Sequence, residues 1–220
     1  MESKYPFIQF SDNLQDNCCC GVLPVSDGYD VAFHQDIADS GQFNIIDLAG
    51  NLIDGYSFSN GYISLESVGF DTFAPFDCFR IEINGYYSNT FMFVGCETDN
   101  TCKFEYWDDG EQSNRIRLAC ILDNPQSKTE KEEYTDSNGI VQSLSKVRRK
   151  EYKMTTDFYS DPVHDAIKEM LTYPHLLVDG VLMFESGDYS INWDEKDELG
   201  NAIADTELSE QDTLRYSICN

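Results

Sequence analysis

Apolar side chains recur at helical spacing in one part of the chain, residues 161–173. Ser160 or Asp161 can cap the first turn there. Pro162 suits the first helical position because it has no amide hydrogen to leave unpaired. The pattern therefore predicts a short α-helix that packs one face on the rest of the protein. The residues of that face are Val163, Ile167, Met170 and Leu171.

Elsewhere, short runs of aromatic and β-branched residues alternate with turn residues about every 8–12 positions, which is typical of an antiparallel sandwich or barrel. Ala49-Gly50-Asn51, Ser59-Asn60-Gly61 and Asp179-Gly180 are the clearest hairpin turns. The fold class predicted is mainly β, with one short helix packed on the sheet. The predicted strands are 31–37, 43–48, 52–58, 62–68, 76–83, 90–95, 102–107, 115–122, 128–135, 140–155, the two halves of 176–184, 189–193 and 213–219.

Charged and apolar residues alternate at 80–83 and 115–118, which predicts strands with one wet face and one core face. The strands on either side of Asp136-Ser137-Asn138-Gly139 are different, because they are charged on both faces. Such a hairpin, at about 126–152, is expected to project beyond its domain and either to lie on a neighbour or to be mobile. Residues 29–220 are otherwise expected to form a single β-rich domain.

Residues 1–28 are predicted to be a separate N-terminal arm that is ordered against another surface. The segment contains a short apolar strand at 5–10, a polar break, the triplet Cys18-Cys19-Cys20 and a turn at Pro24. It has no hydrophobic stretch of the kind found in a signal peptide, so synthesis in the cytoplasm is expected. No apolar run approaches the roughly 18–20 residues that span a bilayer, so we expect no membrane partner.

Composition and charge limit the classes of function that this chain can have. The chain of 220 residues is 41% hydrophobic and 13% aromatic, which favours a folded core despite a formal net charge of −25. Residues 128–153 hold seven of the 15 Lys and Arg residues against five acids. The rest of the chain holds eight basic and 35 acidic residues. This acidity excludes nucleic-acid binding through a broad basic surface, and it suits either a solvated surface or a passage that repels a polyanion.

The sequence contains no motif that predicts catalysis, a cofactor or a metal site. Its three histidines, His34, His164 and His175, have no nucleophile at motif spacing, and its eight cysteines lack the paired spacing of a zinc site. Cysteines within strand-like runs are expected to be reduced and mostly buried. The acidic loops 108–111 and 194–198 do not fit a calcium-binding pattern.

Several aromatic residues lie at predicted strand ends, where they fit either a sugar-binding platform or, more often, a core edge or protein interface. They are Tyr86, Tyr87, Tyr106, Trp107 and Trp193. A carbohydrate- or receptor-binding module therefore remains an alternative to a structural role. A depolymerase or peptidoglycan hydrolase ranks last, because a catalytic carboxylate pair leaves no sequence signature.

Several blocks of the chain resemble tail and neck structural proteins from phages of gut Bacteroides, including the crAss-like phages. The blocks are CFRI at 78–81, KFEY at 103–106, RIRL at 115–118, residues 130–134 and 150–156, the helix after Asp161-Pro162, residues 176–184 and a closing strand with Cys219. The resemblance covers roughly residues 40–220 and carries no catalytic signature.

The resemblance implies a virion component, assembled in the host cytoplasm, that forms a multi-copy ring in the tail or portal-proximal neck. Its expected partners are further copies of itself and other tail, neck or portal proteins, with DNA only passing through the channel. No enzyme activity is expected. The charge distribution indicates that the basic segment meets an acidic surface of another copy. The residues predicted at the subunit interface are Lys146, Arg148, Arg149, Lys150, Tyr134, Tyr5 and Phe7.

Overall fold

The computed structural model describes residues 7–14, 22–95, 100–193 and 201–210. As the sequence predicts, these residues form mainly antiparallel strands with one short α-helix. The strands are β1 (Phe10–Ser11), β2 (Leu23–Val25), β3 (Ala32–His34), β4 (Ser40–Asp47), β5 (Leu52–Ser59), β6 (Tyr62–Ser64), β7 (Cys78–Ile83), β8 (Tyr86–Ser88), β9 (Phe91–Phe93), β10 (Thr101–Trp107), β11 (Asn114–Leu122), β12 (Gln126–Thr135), β13 (Val141–Thr156), β14 (His175–Val178), β15 (Val181–Glu185), β16 (Ser190–Asn192) and β17 (Ile203–Glu210). The helix is α1 (Asp161–Leu171).

Six strands from the second half of the chain close into a barrel. Around it, β10 pairs with β11, β11 with β13, β13 with β17, β17 with β15, β15 with β14, and β14 again with β10. Every pair is antiparallel. Strand β17 completes the wall because it bonds β13 on one side and β15 on the other. Closure of this kind satisfies the backbone groups that an open sheet would leave at its edges.

The first half of the chain forms a second sheet. Its strands run in the order β3, β6, β5, β4, β7. On the far side of β7, β8 and β9 each pair with a different end of that strand; β1 extends β8, and β2 lies parallel to β9. One pair, Arg115 with Ala32, joins this sheet to the barrel strand β11.

The barrel, the second sheet and α1 share one hydrophobic core. Phe43, Phe79, Phe91 and Phe104 are the largest of its fully buried side chains. Each such side chain stabilises the fold by about 1.5–3 kcal/mol through burial alone. The helix contributes the face that its spacing predicts, which is confirmed: Val163, Ile167, Met170 and Leu171 are all buried. Ser160 occupies the N-cap position, although its side chain makes no capping hydrogen bond there.

Two predicted hairpin turns are confirmed in detail. Asn60 and Gly61 both have positive φ, and they join Ser59 directly to Tyr62 across a two-residue loop. Asp179 and Gly180 do the same between β14 and β15. Only residues that tolerate left-handed backbone fit both central positions of such loops, which is why these dipeptides are reliable signals. The Ala49-Gly50-Asn51 turn is also found, between β4 and β5.

The prediction of a turn at Pro24 is wrong. Pro24 lies in the middle of β2, a fully buried strand. The parallel pairing with β9 uses the amide of Leu23, which donates to Thr90 O at 3.0 Å, and the amide of Val94, which donates to Val25 O at 2.8 Å. Pro24 lies between Leu23 and Val25, where no backbone amide has to donate to β9, so proline fits there. Residues 22–25 are therefore part of the second sheet.

Two arginines predicted to lie on wet strand faces are buried instead. Arg80 is 3% exposed, and its guanidinium bonds Thr90 Oγ1 and Leu14 O. Arg117 is 8% exposed and pairs with Asp30. The alternating pattern predicted that both arginines face solvent. It carries no sign of Leu14 or Asp30, the partners that lie far away in the sequence.

The last strand of the barrel also departs from the sequence prediction. β17 was not predicted, because its inward positions include the small side chains Ala204 and Thr206, which give little hydrophobic contrast. The strand predicted at 213–219 lies outside the described residues. No helix among the residues described is long and apolar enough to cross a membrane.

Candidate assembly surface

The predicted hairpin of β12 and β13 is present, and it leaves the body of the protein as a two-stranded ribbon. We define the ribbon as residues 126–135 and 141–150 with the turn 136–140 between them. β12 pairs only with β13 among the strands described, whereas β13 joins β17 and β11 from Glu151 onward. Ten residues of strand give the ribbon a length of about 30 Å. An isolated two-stranded ribbon is only marginally stable in water, so this one is suited to being covered.

A tight turn holds the end of the ribbon. Asp136 Oδ1 accepts hydrogen bonds from the amides of Asn138 and Ile140, each at 2.9 Å. The amide of Gly139 donates to Asp136 O at 2.9 Å, and Gly139 has a φ of +80°. The Asp136 carboxylate therefore bonds the turn amides in place of water, which holds the turn at the end of the ribbon in one conformation.

Three apolar side chains are exposed near the end of the ribbon, beside the acids Glu133 and Asp136. Tyr134, Ile140 and Val141 are 53%, 57% and 58% exposed, and we call these three residues the tip. Tyr134 belongs to the predicted interface set, and it remains accessible as that prediction requires. Ile140 and Val141 were not singled out from sequence. Their signal was an apolar pair directly after a turn in an otherwise polar hairpin.

At the base of the ribbon, charged side chains pair within the chain. Lys150 Nζ donates to Glu210 Oε1 at 3.0 Å, and the Tyr152 hydroxyl donates to the same oxygen at 2.6 Å. The hydrogen bond from Tyr152 lowers the pKa of Glu210, and the same bond raises the pKa of Tyr152 to about 12. Lys153 contacts Asp205 at 3.2 Å. Exposed pairs of this kind contribute about 0–1 kcal/mol each, so they orient the base more than they stabilise it.

Of the other three residues in the predicted basic block, the structure describes the side chain of Arg149 but not those of Lys146 and Arg148. The guanidinium of Arg149 lies over the ring of Phe184, 5.2 Å from its centroid, so Arg149 also holds the ribbon to the barrel. Lys146 and Arg148 lie in β13 opposite Lys131 and Thr129, and their side chains are outside the described part of the chain. Arg149 and Lys150 thus act at the base, within one copy.

The two predicted interface residues near the N-terminus lie apart from the ribbon. Phe7 is 3% exposed in the protein's own core, with its ring 6.4 Å from that of Tyr106. Its apolar character is therefore explained by packing within one copy. Tyr5 lies outside the described residues.

The histidines are used in structure. His164 is fully buried: its Nδ1 lies 2.7 Å from the hydroxyl of Tyr189, and its Nε2 lies 2.8 Å from Ala202 O. A neutral ring with the hydrogen on Nε2 donates to Ala202 and accepts from Tyr189, so both nitrogens are satisfied. Burial lowers the pKa of His164, which favours this neutral form. His175 Nε2 contacts Asp109 Oδ1 at 2.7 Å on the surface.

The described residues include no group of three or more His, Cys, Asp or Glu side chains that could hold a metal ion. Cys102 and Cys120 are buried free thiols, as predicted, and Cys78 is a half-buried one. The hydrogen bond with Cys102, and then burial, raise the pKa of Cys120, so it is kept as a thiol. The other five cysteines lie outside the described residues.

The aromatic residues considered for sugar binding do not share one environment. Tyr106 faces the core and is 3% exposed. Trp107, the next residue of β10, stacks on His175 with ring centroids 5.0 Å apart and planes 14° apart, so one face of the indole is already covered. Tyr86 and Trp193 are 40% and 48% exposed. A stacking platform needs open ring faces side by side; Tyr106 offers none, and Trp107 already has one face covered by His175.

The ribbon with its apolar tip is therefore the feature of this molecule best suited to contact a partner. The chain matches no protein-family model, no curated protein and no solved structure, so the case for its function rests on its own residues.

Proposed function

We propose that this chain is a structural subunit that assembles into a multi-copy ring, and that the ring belongs to the tail or portal-proximal neck of a phage virion. The observation that carries the proposal is the ribbon: about 30 Å of paired strand that no other described strand covers, ending in three exposed apolar side chains. Water-exposed apolar groups at the end of an extended arm favour contact with another molecule.

A projecting arm favours head-to-tail assembly over a symmetric dimer. When the arm of one copy binds a different surface on the next copy, the contact is heterologous, and such contacts form a ring when the rotation from copy to copy closes. Each copy then gives one arm and receives one. Other virion proteins of the tail, neck or portal would bind the completed ring rather than replace its contacts.

The charge of the chain supports a passage for DNA. The formal net charge of −25 gives a ring of many copies a strongly negative wall. Phosphates are repelled by such a wall and do not bind it, so DNA passes without being held. The resemblance to phage tail and neck proteins points to the same setting. This proposal includes no chemical step, so we propose no enzyme activity.

The proposal is tested by the mass of the purified protein in solution, with a ribbonless variant as the comparison. Ser127 and Lys150 lie directly opposite each other in the ladder, so residues 128–149 can be replaced by Asn-Gly as a two-residue turn. The complete chain should form a defined oligomer, visible as rings by electron microscopy, whereas the ribbonless chain should be a folded monomer of the same barrel. A complete chain that stays monomeric at every concentration, and that binds glycans on an array, would instead favour the carbohydrate-binding alternative and contradict the proposal.

A further inference from the structure

Within the ribbon, one edge of β13 pairs with no strand among those described. Glu151 shows which edge it is, because it pairs with Gln126 of β12 on one side and with Ser209 of β17 on the other. From there to the end of the ribbon, β12 continues along its own side of β13, whereas the pairing with β17 stops. We call residues 141–150 on the β17 side the outer edge. A strand edge of this length is a site where a further strand adds.

β17 runs directly toward the outer edge. Its register against β13 is constant from Asp205 to Ser209, and the two strands are antiparallel, so each further residue lies one position closer to the tip. The next residue follows this register, because Glu210 falls opposite Lys150 and accepts a hydrogen bond from its Nζ at 3.0 Å. The same register places residues 211–219, which lie outside the described residues, opposite residues 149–141.

The sequence of 211–219, QDTLRYSIC, suits a strand in that position. It contains no Pro or Gly that would end β17. Apolar residues alternate with polar ones, which predicts a strand with one apolar face: they are Leu214, Tyr216 and Ile218. Asp212 falls opposite Arg148, so the pairing of an acid with a base at Glu210 and Lys150 repeats two positions further along the strands.

We propose that residues 211–219 continue β17 along the outer edge of the same chain, so that the ribbon is a three-stranded sheet. The segment reaches the edge without a linker, which gives it a far higher effective concentration there than a segment of another copy has. The inference concerns one copy and stands whether or not the copies form a ring. It leaves the other edge of β12 and the tip as the parts of the ribbon that contact a neighbour.

Backbone hydrogen bonds show which groups face the outer edge. The Asp123 amide donates to Lys153 O at 2.9 Å, on the side of β13 that faces β11 and β12. The Ser186 amide donates to Glu207 O at 2.9 Å, on the side of β17 that faces away from β13. Because these directions alternate along a strand, the backbone groups of even-numbered residues in β13 and β17 point toward each other.

Hydrogen exchange, read residue by residue, tests the proposal. The amides of Lys146 and Arg148 point to the outer edge, and those of Val147 and Arg149 point to β12, so all four should be protected in the complete chain. Removing residues 211–220 should speed exchange at Lys146 and Arg148 by about tenfold or more relative to Val147 and Arg149. The proposal is overturned if Lys146 and Arg148 are unprotected in the complete chain, or if the deletion leaves that ratio unchanged.

A second measurement uses the complete chain and does not depend on how the shortened one folds. In the proposed sheet, Val147 and Thr213 form a pair without hydrogen bonds between them, with Cα atoms about 4.5 Å apart, which a disulfide accommodates. Val147→Cys with Thr213→Cys should therefore form a disulfide in oxidised glutathione, identified by mass spectrometry of the linked peptides. The matched control is Val147→Cys with Leu214→Cys, which places the second thiol on the opposite face of the sheet and should not link.

Isotope labelling shows which copy supplies the strand. Labelled and unlabelled chains with Val147→Cys and Thr213→Cys are mixed in denaturant, refolded together and oxidised. Every link should join two peptides with the same label. Links between labelled and unlabelled peptides, or no link between these two positions, would overturn the assignment. A chain that stays monomeric while forming the expected link would contradict the ring and leave this inference standing.

Discussion

Asp30 and Arg117 form a two-pronged salt bridge across 87 positions of sequence, with Nε–Oδ2 and Nη2–Oδ1 distances of 2.8 and 2.9 Å. The amides of Ser26 and Asp27 donate to the same carboxylate, at 2.6 and 3.1 Å. Burial by itself raises the pKa of Asp30, but the bonds from Arg117 and Ser26 outweigh it and leave the pKa below its ordinary value. The pair therefore stays ionised and ties the loop after β2 to the barrel strand β11.

Truncating one partner of this pair should be costly. Arg117→Ala leaves the Asp30 carboxylate buried and unpaired, which we expect to lower the free energy of unfolding by about 3–5 kcal/mol. Urea unfolding measures this directly. Because the folded pKa of Asp30 is depressed, the pair's contribution is complete above the unfolded pKa of about 4, and it is lost as the pH falls through the folded value.

The matched control for that substitution is Lys168→Ala, which breaks an exposed pair with Asp165. Its cost should be within about 0–1 kcal/mol. The double variant Asp30→Asn with Arg117→Met removes both charges, and it should recover part of the stability lost in Arg117→Ala. Equal, small effects of Arg117→Ala and Lys168→Ala would show that the salt bridge does not hold the loop.

The buried His164 should make the protein sensitive to mild acid. Burial lowers its pKa in the folded state, so below about pH 6.5 the unfolded chain takes up a proton that the folded chain refuses. The free energy of unfolding should then fall as the pH falls, by at most about 1.4 kcal/mol per pH unit for this one group. Thermal unfolding between pH 7.5 and pH 5 measures the effect.

His164→Gln keeps a donor for Ala202 but cannot titrate, so this variant should lose less stability over the same pH range. His175→Gln changes a surface histidine that contacts Asp109, and it should retain the pH dependence of the unmodified chain. A pH dependence that is the same in all three proteins would exclude His164 as its source.

A substitution that strains the turn at the end of the ribbon should weaken assembly without destabilising the folded barrel. Gly139 has a φ of +80° and no neighbouring atom within reach of an added Cβ, so Gly139→Val costs only backbone strain, about 1–2 kcal/mol. That strain falls on a ribbon of marginal stability. We expect faster hydrogen exchange of the ribbon amides and weaker assembly, with an unchanged melting temperature.

Gly110 offers the matched comparison. It has a φ of +82° and equally open surroundings, but it lies in the loop between two barrel strands, β10 and β11. Gly110→Val should therefore lower the melting temperature and leave the oligomer intact. The prediction for Gly139 fails if its variant melts earlier and assembles normally.

Association should weaken as salt is added. In the proposed ring the basic block at 146–150 meets an acidic surface of another copy, so the encounter between copies is expected to be electrostatic. Raising the ionic strength from 0.01 M to 1 M shortens the screening length from about 30 Å to about 3 Å, so the association rate should fall steeply. Dissociation should change little, because the tip is apolar. Stopped-flow light scattering separates the two rates, and a dissociation rate that carries most of the salt effect would contradict this division.

Local patterns in the sequence predicted the elements whose causes are local. The helix followed from four apolar positions on one face, and the turn at Asp179-Gly180 followed from two residues that accept positive φ. The burial of Arg117 could not be predicted, because its partner Asp30 is brought near only by the completed fold. β17 was missed for a related reason: small inward side chains suffice in a barrel whose neighbouring strands supply the bulk.

In the candidate surface, too, the sequence predicted the features with local causes and missed those that depend on the complete fold. The sequence predicted the hairpin from its turn and from its charge on both faces, and the structure contains it. Its assignment of Lys150 to an interface between copies stays a prediction, and the pairing of Lys150 with Glu210 of its own chain, 60 positions away, could not be foreseen. The exposed apolar groups at the tip needed the structure, because exposure depends on how far the ribbon extends from the core.

β13 is a single strand from Val141 at the end of the ribbon to Thr156 in the barrel wall, with one register shift opposite Glu132 and Glu133. Within that wall it is bonded to β17 and β11. A pull along the ribbon therefore loads those hydrogen bonds together, in shear, rather than peeling them apart one after another. The ribbon and the barrel wall share one strand. In a ring linked through such ribbons, tension on one copy would therefore pass to the barrel wall of the next.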